Sequence, residues 1–228
     1  MTKKTILITG AGSGFGKGAA IGMAKNGHSI IATVHVSSQV TPLHEEAEAL
    51  GLENFRVERL DLTDPYDIAQ AQSWDFDVLW NNAGMGEAGP VWEIPIDLVR
   101  KNYEVNVFLP LVLTQGVVRK WVAAGKKGKV VFTSSMGGLF TPANWGTYVS
   151  TKHALEAIAE ALQQELTPTG SRSRPSTPAP ITPATTRRWR TTPSAGWMTP
   201  STSPSAPICA KASTTSSPRP RARWTRRR

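Results

Sequence analysis

The sequence predicts an α/β fold built on a doubly wound parallel sheet across residues 1–166. Short runs of β-branched and aliphatic residues alternate with longer segments whose apolar residues recur at helical spacing. Strict alternation of strand and helix implies parallel strands joined by right-handed crossovers. Ligands of such folds bind at the carboxyl ends of the strands, so residues just after each strand are the first candidates for a functional site.

Each element has its own signal in the sequence. Residues 5–9 (TILIT) form a β-branched run that suits a strand buried on both faces, and Gly10 stops it. Phe15 and Ala19 then share a helix face, and Gly27 provides a helix stop. Further strands are predicted at residues 29–34, 55–60, 77–80 and 129–133, and further helices at residues 41–50, 67–72, 97–121 and 148–166.

Charge and composition change after Leu166. Of the net charge of +9, residues 1–166 contribute −3 (14 Lys plus Arg against 17 Asp plus Glu), and residues 167–228 contribute +12 with no acid. Residues 167–228 hold 23 Ser or Thr and 11 Pro, and their sparse apolar side chains cannot offset the entropy cost of ordering. We therefore expect a folded domain at 1–166, truncated after the fifth strand, and a disordered basic tail at 167–228.

Several classes of protein are excluded. A single cysteine, Cys209, allows neither an internal disulfide nor a multi-cysteine zinc site, and the histidines lack metal-ligand spacing. There is no run of about 18 apolar residues, and the N-terminus MTKKTILITG lacks the features of a signal peptide. We expect no metal, no membrane partner and a reducing, cytoplasmic location.

A glycine-rich turn follows the first predicted strand. Residues 9–16 read TGAGSGFG and lead into a helix. Glycines allow positive φ and let a pyrophosphate approach the backbone, while free amides and the helix dipole hold the anion. The turn predicts a dinucleotide site, although a tight strand-to-helix turn without a ligand is an alternative.

A tyrosine and a lysine lie four residues apart in the last predicted helix. Tyr148 and Lys152 therefore share a helix face, and an ammonium group near a phenol lowers the phenol pKa. This pair predicts a general acid/base near neutral pH, whereas a solvated helix pair is the alternative. Ser135 lies just past the fifth strand, at the same edge of the sheet.

Three further motifs complete the set. Asp61 and Leu62 follow the third strand, residues 81–84 (NNAG) follow the fourth, and Asn106 lies in the long helix. In this order and spacing, residues 3–166 resemble the short-chain dehydrogenase/reductase family. The resemblance implies a Rossmann-like fold and an enzyme that transfers hydride between NAD(P)(H) and a carbonyl or secondary alcohol.

The resemblance also implies a role for each matching residue. Tyr148 would exchange a proton with the substrate oxygen, Ser135 would polarise that oxygen, Lys152 would hold the nicotinamide ribose, and Asn106 would keep a relay water. The residues implied to bind the cofactor are Gly10, Ser13, Gly14, Phe15, Gly16, His35, Asp61, Leu62, Asn82, Ala83, Gly84, Tyr148 and Lys152.

The end of the second strand bears on the choice of cofactor. An acid there would bind the ribose 2′-hydroxyl of NAD(H) and repel a 2′-phosphate. Residues 32–38 contain no acid, and His35 falls where NADP-preferring family members often carry arginine. We expect NADP(H) to be favoured over NAD(H).

The family pattern breaks near Gly170. The asparagine-proline-glycine turn, the substrate loop and two further strands that the family would place there are not visible, and the acid-free, Arg- and Pro-rich composition suggests a shift of reading frame. We expect an exposed fifth strand, poor stability and low turnover. Reading the coding DNA in all frames tests the frameshift.

Two other functions remain open. One is a nucleotide-binding protein without catalysis, and the other is nucleic-acid binding through the basic tail by counterion release. The substrate is expected to be a small molecule, with residues 85–92 and 136–145 as candidate walls of its site. The resemblance implies a homo-oligomer through the two long helices, whereas the second family interface uses the end that does not match.

Overall fold

A six-stranded parallel sheet forms the centre of the protein. The computed structural model describes residues 2–176, with strand order β3-β2-β1-β4-β5-β6. The strands are β1 (Thr5–Ile8), β2 (Ser29–Val34), β3 (Phe55–Arg59), β4 (Val78–Asn81), β5 (Lys129–Thr133) and β6 (Arg172–Ser176). The predicted doubly wound α/β fold is confirmed, and the order reverses between β1 and β4. The predicted disorder of residues 177–228 lies outside the described residues.

Within residues 2–176, six α-helices flank the sheet. They are α1 (Gly14–Lys25), α2 (Val40–Ala49), α3 (Pro65–Ser73), α4 (Ile96–Tyr103), α5 (Leu109–Ala123) and α6 (Gly146–Leu166). The single helix predicted at 97–121 is instead divided by a π-helical segment, Glu104–Phe108. Pro110 has no amide hydrogen, so the Asn106 carbonyl lacks its usual helical donor. No helix in the described part of the chain is both long and apolar enough to span a bilayer.

Apolar side chains alternate between the two faces of the sheet. In β1, Leu7 packs on one face and Ile6 and Ile8 on the other, because successive side chains of a strand point in opposite directions. The first cluster includes Trp121 of α5 and Leu155 of α6. The second cluster continues into α1 and α2. Burial on both faces explains why the central strands β1 and β2 are nearly continuous apolar runs.

The expected truncation after the fifth strand is wrong. β6 pairs in parallel with β5, and Val130 lies opposite Ser173. The chain reverses at Gly170, whose φ of +75° suits glycine, after a 3-10 turn at Thr167–Thr169. Composition reflects side chains, whereas a strand pairs through its backbone groups, which a serine supplies as well as a valine does.

Ser173 provides a test of how well β6 is packed. Its side chain is fully buried, and its hydroxyl has no hydrogen-bond partner within residues 2–176. A buried polar group without a partner destabilises the fold, so Ser173→Ala is expected to raise the free energy of unfolding by about 1 kcal/mol. Urea unfolding of the two proteins measures the difference.

Ser171 is the matched control. It is also buried, but its Oγ accepts a hydrogen bond from the Gly128 amide at 3.1 Å. Ser171→Ala is expected to lower the free energy of unfolding by about 1 kcal/mol, since it leaves that amide unpaired. Equal effects of the two substitutions would contradict this account of β6.

Candidate active site

The glycine turn after β1 is closely packed against the end of β4. Gly10 has a φ of +66°, and a Cβ placed on it would lie 2.8 Å from the Cα of Ala83. A Cβ on Gly16 would lie 2.5 Å from the Gly10 carbonyl oxygen. Gly14 also has a positive φ, +57°, but has open space in front of it. Glycine is thus required at positions 10 and 16 by packing, and at 10 and 14 by backbone conformation.

Helix α1 begins in this turn, so its N-terminus lies beside the glycines. Ser13 precedes the helix in extended conformation, is exposed, and makes no side-chain capping bond. The first turn of α1 contains no acid, so its positive dipole end has no side-chain anion. These features fit a phosphate group, which helix amides and the dipole bind together. Phe15, in the first turn, is also exposed.

Asparagine and threonine side chains hold the NNAG segment in place. Thr9 Oγ1 accepts hydrogen bonds from the Asn82 and Ala83 amides, both at 2.9 Å. The Asn82 side-chain amide donates to the carbonyls of Thr9 at 3.0 Å and Gly10 at 3.1 Å, and its oxygen accepts from Thr133 Oγ1 at 3.2 Å. The ends of β1, β4 and β5 are thereby joined at one edge of the sheet.

Asp61 lies after β3 at the same edge. It accepts hydrogen bonds from the amide and the hydroxyl of Thr63, at 2.9 and 2.7 Å. Burial raises the pKa of the Asp61 carboxyl, but the Thr63 hydrogen bonds and the charges of Arg59 and His35 outweigh that effect and lower it. The carboxylate is therefore ionised, with the exposed His35 near it. The Leu62 side chain packs in the core instead.

Asn106 fixes the start of the segment after NNAG. Its Oδ1 accepts from the Met85 amide at 2.8 Å, and its Nδ2 donates to the Met85 carbonyl at 2.8 Å and to Thr151 Oγ1 at 3.0 Å. The side chain is almost fully buried. The amide therefore connects the π-helical segment to α6, which carries Tyr148 and Lys152. A Cβ on Gly84 would lie 3.2 Å from this Oδ1.

Tyr148, Lys152 and Ser135 converge beside the end of β5. Lys152 Nζ donates to the Thr133 carbonyl at 2.9 Å and lies 5.6 Å from the centre of the Tyr148 ring. Ser135 Oγ accepts from the Gly137 amide at 3.1 Å, which fixes the serine at the start of a short 3-10 turn. The three residues that the sequence predicted to act together are therefore neighbours.

The expected lowering of the Tyr148 pKa by Lys152 is not found. Burial raises the pKa of the Tyr148 phenol, and hydrogen bonding with Ser135 offsets part of that rise. Burial also lowers the pKa of the Lys152 ammonium to about 8, against the effect of Glu156, which raises it. The side chain of Lys152 is only 5% exposed, so desolvation dominates its titration. At neutral pH the phenol holds its proton.

Burial of the Lys152 ammonium should lower the free energy of unfolding. A pKa lowered from 10.5 to about 8 corresponds to roughly 3 kcal/mol. Lys152→Met is expected to raise the free energy of unfolding near neutral pH by about 1–3 kcal/mol. This gain is smaller than the full desolvation energy because the variant also loses the hydrogen bond to the Thr133 carbonyl. Urea unfolding measures it.

The pH dependence of that effect checks its cause. Between about pH 8 and the ordinary lysine pKa, the unfolded chain binds more protons than the folded chain. The loss of stability caused by the buried Lys152 ammonium is therefore complete below this pH range and disappears as the pH rises through it. The stability gain of Lys152→Met should therefore shrink at about pH 10. A gain that is independent of pH would point to packing instead.

Two threonines of the site were missed by the sequence reasoning. Thr133 receives Lys152 on its carbonyl, donates to Asn82, and accepts from the indole of Trp80 at 2.9 Å. Thr151 anchors Asn106. The sequence did offer a signal for Thr133, since it is a polar residue at the end of a buried strand, two positions before Ser135. Within residues 2–176, no group of three or more His, Cys, Asp or Glu side chains could hold a metal ion.

Comparisons with known proteins agree with this geometry. An uncharacterized oxidoreductase of Bacillus subtilis, YusZ, is 34% identical over 176 residues, which cover 75% of this chain and 62% of that protein. An NADPH-dependent 3-dehydrocapnine reductase of Ornithobacterium rhinotracheale is 45% identical over 94 residues, 39% of this chain and 32% of that protein. The crystal structure of acetoin dehydrogenase from Enterobacter cloacae has a TM-score of 0.70 and 28% identity, with 81% of this chain and 75% of that chain covered.

The family comparison covers most of the chain. This chain spans less than two thirds of the length of the two curated relatives. The family described as short chain dehydrogenase matches residues 4–194, which extends beyond Leu166. The match includes the glycine turn, the NNAG segment and the pair of Tyr148 and Lys152. The chain belongs to the short-chain dehydrogenase family.

Proposed function

We propose that this chain is an NAD(P)-dependent oxidoreductase that interconverts a carbonyl compound and a secondary alcohol. The observation that supports it most is the buried Lys152 ammonium, bonded to the Thr133 carbonyl beside the Tyr148 ring, with Ser135 next to the phenol. A proton donor, a hydroxyl that can polarise an oxygen and a buried cation then share one edge of the sheet, as carbonyl reduction requires.

Each residue has a separate task in the proposed reaction. Tyr148, protonated at neutral pH, donates its proton to the carbonyl oxygen, and Ser135 donates a hydrogen bond to the same oxygen. Lys152 holds a ribose and restores the proton to Tyr148 through a water. The Asn106 carbonyl, which lacks its usual helical donor, would hold that water. A bound nicotinamide would supply or accept the hydride.

The residues at the nucleotide end fit a dinucleotide, with NADP(H) preferred. The exposed Ser13, the open space before Gly14 and the uncompensated α1 N-terminus suit a pyrophosphate. The residues directly after β2 include no carboxylate, and the exposed His35 offers a ring N–H group as a hydrogen-bond donor. The NADPH dependence named for the Ornithobacterium reductase supports the same preference.

Two measurements on the purified 228-residue chain test the proposal. Titration with NADPH and NADH by fluorescence should show binding, tighter for NADPH, and a panel of ketones should be reduced with loss of absorbance of the reduced cofactor. Tighter binding of NADH would overturn the cofactor preference. Binding without turnover across the panel would favour the non-catalytic alternative.

A cytoplasmic location remains part of the proposal, since a lone cysteine fits a reducing compartment.

A further inference from the structure

The geometry points to a neutral carbonyl compound with bulky apolar substituents as the substrate, and to Trp145 as the residue that selects it. This inference rests on the proposed function, whose site it extends. It concerns the surface next to the Tyr148 ring. The segments 85–92 and 136–145, called here the two wall segments, lie against that ring through Gly86 and Trp145.

The two wall segments are joined to each other next to Tyr148. The Gly89 amide donates to the Asn144 carbonyl at 2.7 Å, and Asn144 has a left-handed φ of +66°. A Cβ on Gly146 would collide with the Val91 side chain. Close backbone approach and a strained residue at this junction hold the walls in one arrangement. They therefore form one side of a site rather than two independent loops.

Trp145 is in direct contact with the proposed proton donor. Its indole meets the Tyr148 ring edge to face, with centroids 6.1 Å apart and an angle of 75° between the planes. A Cβ on Gly86 would lie 3.2 Å from Tyr148 Cδ2, so the backbone of the first wall segment also lies against the phenol. The ring therefore contacts both wall segments. A substrate whose oxygen reaches the phenol must lie close to the indole.

The wall segments present large apolar side chains to solvent. Trp92 is 84% exposed and Leu139 74% exposed. Large apolar side chains that remain exposed close to a reactive group are candidates for binding apolar substituents of a substrate. The exposed large apolar residues of the two segments are Val91, Trp92, Met136, Leu139, Phe140 and Trp145.

Charge on the wall segments excludes anions. Neither segment contains Lys, Arg or His, and Glu87 is the one ionisable side chain in them. The ammonium group beside Tyr148, that of Lys152, is buried and bonded to the Thr133 carbonyl. A substrate carboxylate or phosphate on this side would lose hydration without gaining a cation and would be repelled by Glu87. Neutral apolar substituents gain from burial against the same surface.

Equilibrium binding of two ketones tests the inference on the full 228-residue chain. The probes are 4-phenylbutan-2-one, which is neutral and apolar, and 4-oxopentanoate, which carries a carboxylate. Saturation-transfer NMR titrations should give at least about tenfold tighter binding of the phenyl ketone. Trp145→Ala should weaken that binding by about tenfold, and Trp145→Phe, which keeps a ring and the fold, by less. Tyr66→Ala removes an 86% exposed ring on α3 and should change nothing.

The outcomes separate this inference from the proposed function. Equal or tighter binding of 4-oxopentanoate, or an equal loss in Trp145→Ala and Tyr66→Ala, would overturn the inference. If the phenyl ketone binds in a Trp145-dependent way but is not reduced by NADPH, the inference stands and the proposed oxidoreductase activity fails. Reduction of 4-oxopentanoate in preference to the phenyl ketone would support the activity and overturn the substrate class.

Discussion

Replacing Tyr148 with phenylalanine is expected to lower kcat for ketone reduction by about 10²–10⁴-fold, the usual contribution of a positioned proton donor. The variant keeps the ring that packs against Trp145 and lies near Lys152, so the fold and the position of the lysine should be retained. Cofactor affinity should change by no more than about tenfold, the effect of one neutral hydrogen bond. Steady-state kinetics and cofactor titration measure the two quantities separately.

The control for this substitution is a second tyrosine outside the site. Tyr66 is exposed on α3, and Tyr66→Phe should leave kcat unchanged. The raised pKa of Tyr148 also sets a direction for pH dependence: reduction uses the protonated phenol and should persist through neutral pH, whereas alcohol oxidation needs the phenolate and should rise with pH. Similar kcat values for Tyr148→Phe and the parent would remove Tyr148 from the mechanism.

Gly10→Ala is expected to lower the free energy of unfolding by about 2–5 kcal/mol and to abolish cofactor binding. Alanine at a φ of +66° costs about 1–3 kcal/mol, and its methyl group would lie 2.8 Å from the Cα of Ala83, a backbone atom that cannot move aside easily. Forcing the two backbones apart also displaces Asn82, which bonds to Thr9 and Gly10. Urea unfolding and NADPH titration measure the two losses.

Gly18→Ala is the matched control for that substitution. Gly18 lies in α1 without a positive φ and has open space where its Cβ would be. Alanine is the better helix former, so this variant should gain about 0.5–1 kcal/mol and bind the cofactor as the parent does. A Gly10→Ala protein as stable as Gly18→Ala would show that the turn does not need glycine there.

Most of the site could be predicted because its residues follow strands. Gly10, Asp61, Asn82 and Ser135 lie within two residues of the ends of β1, β3, β4 and β5, and parallel strands bring their carboxyl ends to one edge of the sheet. The pairing of Tyr148 with Lys152 follows from helical periodicity alone. These inferences need the order of elements and no knowledge of packing.

Three features depend on packing and could not be predicted from the sequence. The Tyr148 pKa is set by burial, which a four-residue spacing does not reveal. The division of the helix at 97–121 depends on how a Pro110 defect is accommodated, and apolar periodicity continues through it. β6 was not predicted because Ser173, its buried residue among positions 172–175, is polar, so neither alternation of polarity nor β-propensity marks Arg172–Ser176 as a strand.

The position of β6 also bears on whether separate copies of the protein can pair with each other. Among the described strands it lies at the outer edge of the sheet, where unpaired backbone groups can template the addition of a strand from another molecule. The exposed residues Arg172 and Arg174 lie along it, and Pro175 has no amide hydrogen to donate. If the β6 edges of two molecules met, the arginines would bring like charges together, and each proline would leave one backbone hydrogen bond unmade. Pairing of two copies through β6 is therefore expected to be disfavoured.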